Sequence, residues 1–85
     1  ARTLREIAKR HPEVEEVSVK TRRWSLGESV WVRVVIKDNP DLLDSLSRIQ
    51  HARKVRQELE RASEGLGDNI YFQVYFKSEL EEVER

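Results

Sequence analysis

Eighty-five residues, 38% hydrophobic and 38% charged, suffice for one small core under a heavily charged exterior. They exclude two independent cores, because a chain this short buries only about 60–65% of its unfolded surface, so residues 1–85 read as a single domain. Sixteen basic and sixteen acidic side chains cancel, which removes any global attraction to nucleic acid or membrane, and the absence of cysteine removes disulfides, thiolate metal sites and a cysteine nucleophile.

Thr3, Leu4, Arg5 and Glu6 form a capping box, in which a hydroxyl and a carboxylate satisfy backbone donors at a helix start. Leu4, Ile7 and Ala8 share one face of that helix, and Pro12 stops it at His11 by disfavouring helical geometry in the preceding residue. Val14 opens an extended segment. From Val17 apolar residues alternate, and Val30, Val32, Val34 and Ile36 alternate again after a turn at Ser25, Leu26, Gly27 and Glu28, which predicts a hairpin. A four-residue turn pairs Trp24 with Ser29, Val17 with Ile36, Val19 with Val34, Thr21 with Val32 and Trp31 with Arg22. Val17, Val19, Val30, Val32 and Val34 then lie on one face.

Asn39 and Pro40 predict the start of a long helix, with Asn as cap and proline in the first turn. Leu42, Leu46, Ile49, Ala52, Val55, Leu59, Ala62 and Leu66 recur at helical spacing until Gly65 and Gly67 end the pattern. Such a helix, at ~1.5 Å per residue, outruns an eight-residue strand, so it overhangs the sheet or bends near Asp44 and Ser45. Ile70 to Lys77 is the third strand, with Ile70, Phe72, Val74 and Phe76 on the core face. Ser78, Glu79, Leu80 and Glu81 predict a short terminal helix. The fold class is therefore α+β: a two-layer sandwich in the order α-β-β-α-β-(short α), its three-stranded sheet covered by helices on the Val17, Val34, Ile36, Phe72 and Phe76 face. The place of the third strand, beside the first or the second, is left open.

The opposite face collects both tryptophans and both tyrosines, Trp24, Trp31, Tyr71 and Tyr75, with Lys20, Arg22, Arg33, Lys37 and Lys77, around Val35, and no acid. Aromatics and arginine anchor protein interfaces, so the favoured function is a non-enzymatic interaction or self-association module, first of all a homodimer, whose partner-binding residues are Lys20, Arg22, Trp24, Trp31, Arg33, Val35, Tyr71, Tyr75 and Lys77. Single-stranded nucleic acid is the next partner class, with bases on the aromatics and phosphates on the bases' cationic neighbours; it lacks the RRM signature and the GxxG loop of a KH domain. In a third reading the terminal helix or the start of the chain covers part of the face, and the Trp–Arg pairs only stabilise the domain.

Catalytic chemistry finds no support. His11 sits at a helix stop, where free carbonyls await a donor, and His51 lies on the long helix in a row with Asp44 and Arg48. One carboxylate and one histidine fall short of the three protein ligands of a catalytic zinc. No serine has a G-x-S-x-G context, and Gly65 and Gly67 stop a helix without forming a phosphate loop. The chain is read as no enzyme, with no cofactor and no metal site. No apolar run reaches the ~20 residues that span a bilayer, so a cytoplasmic location is expected. Ala1 in the first position and the lack of any methionine suggest a processed, excised or engineered chain, and an engineered scaffold without evolved function would have the same composition.

The element order, with HPEVEEV at 11–17 and WVRVVIKDNPDL at 31–42, resembles the cytosolic C-terminal domain of cation diffusion facilitator transporters. The resemblance implies a domain that dimerises, that can bind transition metal between protomers and that regulates a metal-ion transporter. Where the family carries histidine in the second and last strands this chain has Val35 and Gln73 or Tyr75, and His51 approaches the family's helix histidine only with an adjustment of spacing. No metal residue is carried over.

Overall fold

The computed structural model describes residues 4–67 and 69–84, and side chains as far as Leu80. The elements are α1 (Leu4–Lys9), β1 (Val14–Trp24), β2 (Gly27–Ile36), α2 (Ser45–Ala62), β3 (Ile70–Phe76) and α3 (Lys77–Glu84). The sheet order is β1-β2-β3, antiparallel between the first two and parallel between β2 and β3, so the third strand lies beside the second. A parallel neighbour needs a long connection, and α2 supplies it.

Thr3, the expected cap of α1, lies outside the described residues. At its other end α1 tightens before Pro12, with Arg10 N bonding to Glu6 O and Ile7 O, and His11 N to Ala8 O. The hairpin turn is shorter than expected: Trp24 pairs with Gly27 across Ser25 and Leu26. This moves the pairing by two residues, so Val17 meets Val34, Val19 meets Val32 and Thr21 meets Val30. A shift of two preserves the face of every side chain. A Cβ at Gly27 would stand 3.5 Å from the indole Nε1 of Trp24, an ordinary contact, so the turn has room for a larger residue there. At the other end, a bulge between Val14 and Glu16 brings Val14 opposite Ile36 on the core side, while Glu16 stays on the outer face beside Val35.

The long helix starts later than Asn39 and Pro40 suggest. Asn39 closes a single turn, its Oδ1 accepting from Asp41 N at 2.9 Å and its carbonyl from Leu42 N at 3.1 Å. Asp44, extended at φ −112°, is the true cap of α2 and accepts from Ser47 N through its side chain. At about 27 Å, the 18-residue helix covers the length of β3 and stops short of the longer hairpin strands. It closes on Ser63, and the left-handed residues Gly65, Gly67 and Asn69 reverse the chain into β3.

The inner face of the sheet holds the core. Val32, Val34 and Ile36 of the central strand meet Phe72 and Phe76 of β3, Val55 and Leu59 of α2, and Ala8 of α1. Helical periodicity overstated α2: Leu46, Ile49, Ala62 and Leu66 are exposed, because the helix needs only one narrow seam against three strands. Val19 also remains 38% exposed, since the distal half of the hairpin projects past the helices.

The last helix begins one residue before Ser78, and its cap comes from elsewhere in the chain. Asp38, just after β2, accepts from Ser78 N at 3.2 Å and from Ser78 Oγ at 2.8 Å. Arg48 Nη2 donates to the same hydroxyl at 3.1 Å while its guanidinium lies over the Phe76 ring at 4.8 Å. These contacts fix α3 at the end of the sheet.

Candidate interaction surface on the outer sheet face

Alternation in three strands assembles the surface in rows. Lys20, Trp31 and Tyr71 form one row, Ser18, Arg33 and Gln73 the next, and Glu16, Val35 and Tyr75 the third. Arg22 pairs with Ser29 and Trp24 with Gly27 toward the hairpin tip. Trp31 therefore faces Lys20, not Arg22 as the four-residue turn implied, and Glu16 brings an acid to a face expected to have none.

At the centre, Trp31 stacks on Tyr71 with ring centroids 4.7 Å apart and planes 25° apart. Its indole Nε1–H donates to Ser29 Oγ at 3.1 Å, so a buried hydroxyl holds the ring in place. Arg33 lies 5.8 Å from the Tyr75 centroid, within cation–π range. Trp24 and Tyr71 remain 49% and 44% exposed, and Lys20 and Arg22 are open to solvent. A flat aromatic strip with a cationic fringe results.

Two members of the expected set leave it. Val35 is only 4% exposed, because α3 packs on this end of the sheet and Leu80 lines a cleft of about 320 Å³ with Val35, Arg33 and Glu16. Lys77 opens α3 and reaches Glu15 Oε2 at 3.7 Å, away from the aromatic rows. Among the described residues, covering by the terminal helix falls at this end of the sheet.

The histidines join α2 to the α1–β1 connection. His11 Nδ1 accepts from Glu13 N at 3.2 Å, so the proton sits on Nε2, which donates to Glu58 at 2.5 Å. His11 thereby finds a carboxylate of α2 where free carbonyls were expected. His51 Nε2 meets the Glu13 carboxylate at 2.5 Å, and its ring lies 6.0 Å from that of Phe76. The hydrogen bond from His11 holds the Glu58 carboxyl below its usual range, and bonds from Ser47, chiefly from its backbone N–H, do the same for Asp44. The row Asp44, Arg48, His51 separates into three unrelated partners: Ser47, Ser78 and Glu13.

No family model matches the chain, and no curated protein matches it. Solved structures do. A nickel form of the MamM C-terminal domain is 19% identical with a TM-score of 0.53, over 87% of this chain and 90% of that one. A copper form is 21% identical with a TM-score of 0.51 over 87% and 86%, and a further variant is 17% identical with a TM-score of 0.55 over 87% and 89%. These likenesses show a shared fold, so the weak resemblance to the cytosolic C-terminal domain of cation diffusion facilitators is a resemblance of architecture. Val35 offers no ligand, His11 and His51 are each engaged by a carboxylate, and among the described residues no group of three or more His, Asp or Glu is placed to hold a metal ion.

Proposed function

We propose that the chain is a non-enzymatic self-association module, in which two copies meet through the outer sheet face around Trp31 and Tyr71. The observation that carries the reading is the stacked, pre-positioned Trp31–Tyr71 pair beside a half-exposed Trp24. Aromatics held in one rotamer lose little entropy on contact, and they are the side chains that dominate interface energies.

Magnitudes limit the strength of the association. Three strands ~4.8 Å apart and roughly 30 Å long give a planar footprint on the order of 450 Å². Stable complexes bury ~800 Å² per partner, so a weak dimer is expected. Lys20, Arg22 and Arg33 of two copies also repel, and salt screens that repulsion. Sedimentation equilibrium at low and high salt is the test. Self-association that holds or tightens as salt rises supports the dimer; a monomer throughout refutes it. Binding of a single-stranded oligonucleotide that weakens steeply with salt would instead favour phosphate contacts on this face.

The likeness to the MamM C-terminal domain favours a second, compatible reading: a regulatory cytosolic domain of a metal-ion transporter. In that reading self-association is the part the residues support, and metal control is the part their chemistry leaves out. A rise in melting temperature with added zinc would bring metal back, because a ligand of the native state stabilises it.

A further inference from the structure

A second surface lies at the sheet edge, away from the aromatic rows. Between α2 and β3 runs an open groove of about 600 Å³. Its apolar floor comes from Ala52, Val74 and Ile49, the last 55% exposed. Nothing in the aromatic surface accounts for an isoleucine left open on a helix that has a core to face.

The strand beside the groove is an unpaired edge. Asn69 O accepts from Val30 N at 2.9 Å, which sets the parity of the parallel ladder. The backbone groups of Tyr71, Gln73 and Tyr75 turn to β2, and those of Phe72 and Val74 turn to the open side. Edges are normally blunted by proline, a bulge or a charged side chain, and IYFQVYF has none of these. Its register with β2 runs unbroken from Ile70 to Phe76.

The groove is also cationic. Arg48, Arg53 and Arg56 line it against a single acid, Glu79. Arg48 is engaged by Ser78 and Glu79, and Arg56 approaches Glu60 at 3.6 Å, whereas Arg53 has no hydrogen-bond or ion-pair partner among the described residues.

We propose that this groove takes an acidic, extended segment of a partner protein as a fourth strand beside β3. Its backbone pairs with Phe72 and Val74, its carboxylates meet Arg53 and Arg56, and alternate apolar side chains rest on Ile49 and Ala52. Strand addition is a general mode of peptide capture, with backbone bonds giving affinity and side-chain pockets giving choice. Charge decides the occupant. A second copy of β3 carries no carboxylate and would bring arginines against arginines. A helix or a nucleic acid would leave the backbone edge unpaired.

The test is fluorescence anisotropy with a fluorescein-labelled octapeptide alternating Glu and Val. The folded chain is expected to bind it saturably, and Arg53→Glu with Arg56→Glu to weaken it by about tenfold or more while Lys54→Glu, outside the groove, changes it little. The same peptide N-methylated at every residue, which can donate from neither edge, is expected not to bind. Failure of the unmodified peptide to bind overturns the proposal, and equal binding of the N-methylated peptide does so too, since attraction of charge alone would then suffice. Neither result bears on self-association through Trp31.

Discussion

Trp31 and Tyr71 sit directly opposite each other on the parallel pair β2 and β3, stacked at 4.7 Å, with the indole N–H fixed on Ser29. The stack presents one continuous apolar plate, so truncating its larger member removes the centre of the proposed interface. Trp31→Ala is expected to weaken self-association by about 2 kcal/mol or more. Monomer stability should fall by only about 1 kcal/mol, the worth of an aromatic pair. Sedimentation equilibrium and a thermal melt separate the two; an unchanged dimer constant removes Trp31 from the interface.

Leu46 and Leu59 belong to the same periodic row in the sequence and to different environments in the fold. Leu59 is 1% exposed against the Phe76 and Ile36 core, and Leu46 is 65% exposed. Leu59→Ala should cost about 2–5 kcal/mol through lost burial and the cavity left behind, a large fraction of the stability of so small a domain. Leu46→Ala should stay within about 0.5 kcal/mol. Urea unfolding of the two variants checks this, and similar losses at both sites would mean that the N-terminal turns of α2 are packed.

Asp38 holds α3 through two bonds to Ser78. Removing the carboxylate leaves the first turn of α3 without its acceptor, while Arg48 keeps its bond to the Ser78 hydroxyl. Asp38→Ala is expected to cost about 1 kcal/mol, while Asp38→Asn retains most of the bonding. Loosening α3 uncovers Val35, so amide exchange should accelerate in 77–80 and 33–35 and stay slow in Val55 to Leu59. Uniform acceleration would show that α3 unfolds only with the whole domain.

Much of this architecture was legible in the chain. Alternation located all three strands and assigned inner and outer faces correctly, because strand parity depends on single residues and survives a two-residue error in register. The turn itself was harder to place, since Ser25 and Leu26 carry no Asn-Gly or Asp-Gly signal and Gly27 drew the turn toward itself. Asn39 and Pro40 are good helix-start residues used for one turn only, and the neighbouring Asp44 captured the helix. What sequence could not show were contacts between residues far apart in the chain: Asp38 on Ser78, Glu58 on His11 and Glu13 on His51. The groove beside β3 was hidden for the same reason, since it exists only once strand order leaves that edge unpaired.

Glu58 and Asp44 make stability depend on acid. Both carboxyls are held below the usual carboxylate range, Glu58 chiefly by the bond from His11 and Asp44 by the bond from the Ser47 backbone. A depressed folded value means that the unfolded chain takes up protons first. The stabilisation is therefore complete above the unfolded values and is lost as pH falls through the lower folded ones. Melting temperature should decline from about pH 5 downward, as linkage to these groups requires. Glu58→Gln should flatten the upper part of that decline, and Asp44→Asn, which keeps an N-cap acceptor without a titrating charge, the lower part. Both groups are exposed, so each effect should be small and should shrink as salt is raised. Melts of the parent chain and the two variants across this range check the assignment, and parallel curves for all three would place the acid sensitivity in other carboxylates.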